Sequence, residues 1–373
     1  MPDKTALVLG GGGARAAYQI GVLKAIVQFY PRNHGIPFKI ICGTSAGAIN
    51  GTSIATHASC FHLGVRKLEW VWRNFRTEKI YSSSISGVLT HLGKMLLMSM
   101  QNDQNSTNPG SLFNNEPLRG LLNQLINFTR IDRNISSGSL NALSIDTSCY
   151  NTARSVTFFQ GSHDIPQWHR DRRSGQRTQL NTDHLLASSA IPLVFPSIKL
   201  NQAYYGDGSV HQLAPLSSPI HLGAKKIMVI NLESPHKQLP QELEHHPKTA
   251  TITGHLLDTI FSDTLNSDLE RLERVNHTLT LIPEENRKKL SLNPIQTLVI
   301  KPSEDLSQLA SRYYDEMPFA VKSMLKPIGI NQQTDSSIVS YLLFERAYCS
   351  ALINLGYQDA MCQIDEIRDF FEI

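Results

Sequence analysis

Short apolar runs that stop at glycine recur through the first half of the chain, and each leads into a longer stretch with helical spacing. Thr5 to Leu9 reads as a buried strand, followed by four glycines and a helix from about Ala14 to Phe29. Phe38 to Cys42 reads as a second strand, ending in a glycine-containing turn and a long helix that begins near Ser45. No charged residue falls between Lys39 and Arg66. That run is too rich in Ser, Thr and Gly for a lipid span, and it reads as a helix buried inside protein. Strands alternating with helices predict an α/β fold with a mainly parallel sheet covered on both faces.

Further along, Ser155 to Gln160 is a strand, Trp168 to Gln179 a basic loop, and Lys226 to Leu232 a strong buried strand. Residues beyond 250 are mostly helical, with Thr297 to Ile300 as a last strand. Ser82 to Ser84 are placed to cap a helix from Ile85 to Met100, with a polar linker, Gln101 to Gly110, behind it. On that helix Ile85, Val88, Leu89, Leu92, Met95, Leu96 and Met100 share one face. Such spacing by default means packing on the core. The functional alternative is a lid or interfacial helix that opens onto bilayers.

Composition narrows the classes. At 373 residues the chain suits two domains or one large one. Its 35 Lys and Arg nearly balance 32 Asp and Glu, which leaves none of the strongly basic footprint of a nucleic-acid binder. A charged fraction of 18% with 41% hydrophobic residues excludes intrinsic disorder. The five cysteines are widely spaced with no C-x-x-C, and read as reduced thiols. No H-E-x-x-H or Asp-rich calcium loop points to a metal, and no cofactor is implied. The first apolar run is only four residues, Ala6 to Leu9, so no signal peptide is expected. No apolar run approaches the ~18–20 residues of a spanning helix. A soluble, cytoplasmic chain is expected, free to make peripheral contact with membranes.

Two glycine-rich turns carry the chemistry. Gly10-Gly11-Gly12-Gly13-Ala14-Arg15 joins a strand to a helix, where backbone amides and the helix dipole stabilise negative charge. Gly11-x-Gly13-x-x-Ala16 also fits a relaxed dinucleotide fingerprint, but Pro31 to Cys42 contains none of the acid that such a site wants on the ribose. Gly43-Thr44-Ser45-Ala46-Gly47 is a G-x-S-x-G between a strand and a helix, the context that lifts a serine hydroxyl into a site. A plain helix cap is the bland alternative for Ser45. A nucleophilic serine needs a base. His163, His184, His211, His221 and His255 are candidates without a distinctive setting, whereas Asp207 stands between Gly206 and Gly208 at the end of an apolar run.

Taken in order, LVLGGGGARAAYQIGVL, GTSAGAIN, LLASSAIPLVFPS and YYGDGS resemble the patatin-like phospholipase family of lipid acyl hydrolases. The tail SYLLFERAYCSALINLGYQDA is similar to the C-terminal segment of bacterial members. The resemblance implies a three-layer α/β/α fold with residues 5–220 as catalytic domain and 221–373 as a C-terminal strand and helical extension packed on it. It implies Ser45 as nucleophile and Asp207 as base in a dyad without histidine, with Gly11, Gly12 and Gly13 forming the oxyanion hole. Arg15, Gly43, Gly47 and Gly208 complete the motifs, while Ala16 and Ser209 replace the family's usual glycine and glycine or alanine. The implied substrate is a phospholipid or lysophospholipid. A dinucleotide-dependent oxidoreductase and a non-catalytic lipid-binding protein are the rival readings.

Overall fold

The computed structural model describes residues 4–80, 111, 113–192, 194–233, 249–287, 289–290, 292–325 and 337–373. The expected helix and linker over residues 82–110 lie outside them. Ten strands form one mixed sheet: β1 (Thr5–Leu9), β2 (Ile40–Thr44), β3 (Ala142–Cys149), β4 (Arg154–Gly161), β5 (Trp168–Arg170), β6 (Arg173–Arg177), β7 (Ile198–Leu200), β8 (Ala203–Asp207), β9 (Lys226–Ile230) and β10 (Gln296–Ile300). The order β10-β9-β1-β2-β3 is parallel throughout. Beyond β3 the sheet turns mixed, because β4 and β8 both pair with β3 antiparallel.

Side-chain alternation gives the sheet two cores. Leu7, Leu9, Ile41, Leu143 and Ile145 face one side, against helices α1 (Ala17–Ile26), α2 (Ala46–Thr56) and α3 (Phe61–Arg73). Ala6, Val8, Ile40, Cys42 and Val229 face the other, with Leu265, Leu269 and Leu272 of the long helix Thr249–Leu281 packed over them. Helix, sheet, helix is the α/β/α arrangement that buried, continuously apolar parallel strands require. Among the described residues no helix is long and apolar enough to cross a membrane.

Three sequence expectations need correction. The second strand runs on to Thr44, because Gly43 and Thr44 continue the pairing with Ile145 and Asp146 of β3. The uncharged run behind it is two helices rather than one, since α2 ends at Thr56 and α3 starts at Phe61. The basic loop at 168–179 contains the hairpin β5–β6, anchored by buried Trp168, which stacks on Phe159 and His221. Its Arg177 is no solvated charge, for it donates to the carbonyls of Gly161 and Ser162 at 2.7 and 2.9 Å.

The helix Arg346–Cys362 lies directly on α1, with Tyr18 Oη donating to Asp359 Oδ2 at 2.9 Å. The two backbones touch: a Cβ on Gly21 would run into the Ile353 carbonyl, and one on Gly356 into that of Tyr18. Gly356→Ala should therefore destabilise the protein by about 1–3 kcal/mol, despite the better helix former it introduces. Gly120→Ala, in the helix Glu116–Leu125 with nothing within 4 Å of the new methyl, should stabilise by up to about 1 kcal/mol. Urea unfolding of both variants measures the contrast.

Candidate active site

Ser45 stands between β2 and α2 with φ 54 and ψ −128, a backbone conformation that costs a non-glycine residue roughly 1–3 kcal/mol. Neighbouring contacts hold it there. Its N–H donates to Ser188 Oγ at 2.9 Å, and its carbonyl accepts from Ala48 N at 2.9 Å. A Cβ on Gly47 would collide with the carbonyls of Leu9 and Gly10, and one on Gly43 with the backbone of Ala48. The end of β1 thus seats directly on the first turn of α2.

The glycine loop follows from that seat. Gly13, at φ 55, takes a left-handed conformation that opens the 3-10 turn Gly13–Ala16 and lines the same pocket as Ser45. Gly12 is pressed against Leu232, 2.5 Å from where its Cβ would be. Gly11 borders a separate small cavity with Thr44, Ser209 and Asn231. A buried polar chain steadies the loop: Trp72 Nε1 donates to Asn50 Oδ1, Asn50 Nδ2 to Gln19 Oε1, and Gln19 Nε2 to the Gly10 carbonyl, all at 2.8–2.9 Å. Arg15 turns away from Ser45. Its guanidinium donates to Ser340, Tyr341 and Ser307 at 2.7–3.1 Å, fastening the loop to the C-terminal helices.

Asp207 is the last residue of β8 and fully buried. Its N–H donates to the Ala190 carbonyl at 2.9 Å, and its Oδ1 accepts from Ser209 N at 3.0 Å. Gly208 is fitted against the Asp146 carbonyl, with no room for a Cβ. The carboxyl is pushed up to about 6 by burial, with the nearby Ser45 hydroxyl the largest influence in the other direction. Among the described residues no partner meets its Oδ2 at full hydrogen-bond geometry, and the Ser45 hydroxyl is near enough to favour the ionised carboxyl. Among the described histidines, His184 bonds to Asn181 and His221 to Ser217, and none bonds to Ser45 or Asp207.

Ser45 and Gly13 are among the residues lining an apolar pocket with a cavity volume of about 50 Å³ that opens to solvent. Ile49, Val71, Trp72, Leu118, Leu122 and Phe344 wall it together with Lys67, which donates to the Leu125 carbonyl at 2.7 Å.

Residues 7–220 match the family model of patatin-like phospholipases. The chain belongs to the patatin-like phospholipase family. Patatin-like phospholipase domain-containing protein 7 of Rattus norvegicus is 45% identical over 65 residues, 17% of this chain and 4% of that protein. Lysophospholipase nte1 of Aspergillus terreus is 54% identical over 52 residues, 14% of this chain and 3% of its own length. This patatin-like chain therefore corresponds to a small part of those relatives. Among solved structures, VipD from Legionella pneumophila is similar with a TM-score of 0.40 and 12% identity, over 98% of this chain and 67% of that one.

Ser188 is a site residue that the sequence reading missed. It lies inside LLASSAIP, a segment that carried the resemblance but offered no sign that its hydroxyl reaches the Ser45 amide. The buried Asp207 carboxyl has a measurable consequence for patatin-like stability. Its folded value of about 6 lies above the ordinary ~3.9, so the native state binds the proton more tightly and loses stability as pH rises from about 4 to 6. The penalty at neutral pH is on the order of 3 kcal/mol. Asp207→Asn, whose carbonyl still accepts from Ser209, should melt higher than the wild type at pH 8, with the advantage gone by pH 4. Thermal denaturation at the two pH values checks this.

Proposed function

We propose that this chain is a serine lipid acyl hydrolase that cleaves fatty acyl esters of phospholipids or lysophospholipids through Ser45 and Asp207. One arrangement carries the reading: a strained, buried serine that lines an apolar pocket, near a carboxyl with an unused oxygen. Asp207 Oδ2 takes the Ser45 proton as Oγ attacks the ester carbonyl. Amides of the Gly11–Gly13 loop receive the developing oxyanion, with Gly13 the member bordering the pocket. The alcohol leaves with the proton from Asp207, the acyl chain stays on Ser45 in the apolar pocket, and water activated by Asp207 releases it. The dinucleotide reading has less support, since β2 ends in Gly43 and Thr44 with no acid for a ribose.

Ser45→Ala should abolish ester hydrolysis and fluorophosphonate labelling while the circular dichroism spectrum stays unchanged. Full labelling at another residue, or hydrolysis persisting in Ser45→Ala, overturns the reading; a wild type that binds lipid but neither labels nor hydrolyses is the non-catalytic alternative. Because the base works deprotonated, kcat/KM should fall as pH drops through about 6, approaching tenfold per pH unit below it. A flat profile from pH 5 to 8 removes Asp207 as the base. Ile49→Trp, which fills the pocket wall, should raise KM for long-chain esters and spare acetyl esters, as a chain-length series would show.

A further inference from the structure

Asp146 is a carboxyl with no place in the reaction just described, and it is fully buried in β3 one strand from Ser45. Among the described residues it has no ion pair; instead four side chains converge on it. Oδ1 accepts from Thr157 Oγ1 at 2.5 Å and Ser218 Oγ at 3.1 Å. Oδ2 accepts from Gln212 Nε2 at 2.8 Å and Thr44 Oγ1 at 3.3 Å. Burying an acid is costly unless its lone pairs are occupied, and here both oxygens are.

The donors come from the two segments whose spacing matters. Thr44 precedes Ser45 and sits opposite Asp146 in the β2–β3 register. Gln212 ends the turn that begins at Asp207, and the next residue of β3, Thr147, sits opposite Asp207 in the β3–β8 register. The Asp146 main chain reaches the same two places. Its carbonyl accepts from Ser188 Oγ at 2.6 Å, the hydroxyl that in turn accepts the Ser45 N–H, and the same carbonyl blocks any Cβ at Gly208.

We propose that Asp146 is the positioning residue that sets the distance between Ser45 and Asp207, by accepting from both segments at once. This rests on the reading of those two residues as the reacting pair. An aspartate suits the task because both its side-chain oxygens accept. Asparagine can replace it: its carbonyl would face Gln212 and Thr44, and its amide would donate to Thr157 and Ser218, whose hydroxyls can reverse. Alanine removes the shared acceptor, leaving Gln212 and Thr44 without this partner and Thr157 and Ser218 with only each other, and frees the two segments.

The test compares Asp146→Ala, Asp146→Asn and wild type with a short soluble ester and a fluorophosphonate probe. A shift of about 1 Å between reacting groups costs on the order of 100-fold in rate. Asp146→Ala should lose about that in kcat and in labelling rate, with KM essentially unchanged. Asp146→Asn should restore most of the loss. A folded Asp146→Ala that melts lower but keeps wild-type kcat has a structural role only and overturns the proposal. If Asp146→Ala does not fold, Ser188→Ala and Gln212→Leu each cut one link, and unchanged kcat in both overturns it equally. A wild type that neither labels nor hydrolyses removes the reacting pair itself, and the positioning role with it.

Discussion

The first turn of α2 rests on the carbonyl oxygens that end β1, with no side chain between them, and much of the site follows from that contact. Only a hydrogen at Gly47 fits against Leu9 and Gly10. Two backbone turns that would otherwise stand a side chain apart are thereby brought together, one carrying the loop glycines and the other Ser45. Both turns pass through positive φ, which Gly13 adopts freely and Ser45 only under constraint. The surrounding sheet over-determines them, through the parallel pairing of β1 with β2 on one side and with β9 on the other.

Electrostatic work is divided between two buried acids that differ in how fully they are solvated by protein. Asp146 has every lone-pair direction served by hydroxyl or amide donors. Asp207 keeps one oxygen open toward Ser45, and burial holds its proton affinity high. A carboxyl in the second state is poor for stability and suited to proton transfer, whereas the first is suited to holding strands in register.

How far this could be read from sequence depends on whether a feature is local. Strand β1 was legible to the residue because its apolar run stops at four glycines. Ser45 and Asp207 stood out because glycines flank each of them, a signal contained within five residues. The end of β2 was misplaced, since Gly43 and Thr44 look like turn residues until β3 is there to pair with them. The β5–β6 hairpin was hidden because a positive φ at its turn falls on Arg172 where a glycine would be expected. Ser188 and the direction of Arg15 depend on segments 143 and 325 residues away from their partners, a separation no local pattern encodes.

Those long separations bear on how such a molecule is made. A ribosome that has released the first 220 residues has already delivered Ser45 and Asp207, but not β9, β10 or the helix Arg346–Cys362 that covers α1. The hydroxyls that fasten Arg15, at Ser307, Ser340 and Tyr341, also lie beyond residue 220. Until then α1 presents an apolar face, and the glycine loop lacks its neighbours at Leu232 and Tyr341. Contacts between residues more than 300 apart are slow to close, so this face and this loop stay uncovered until the C-terminal helices are present. The two motif turns are thus complete in sequence well before the helices that cover α1 and anchor the glycine loop are there to complete them in structure.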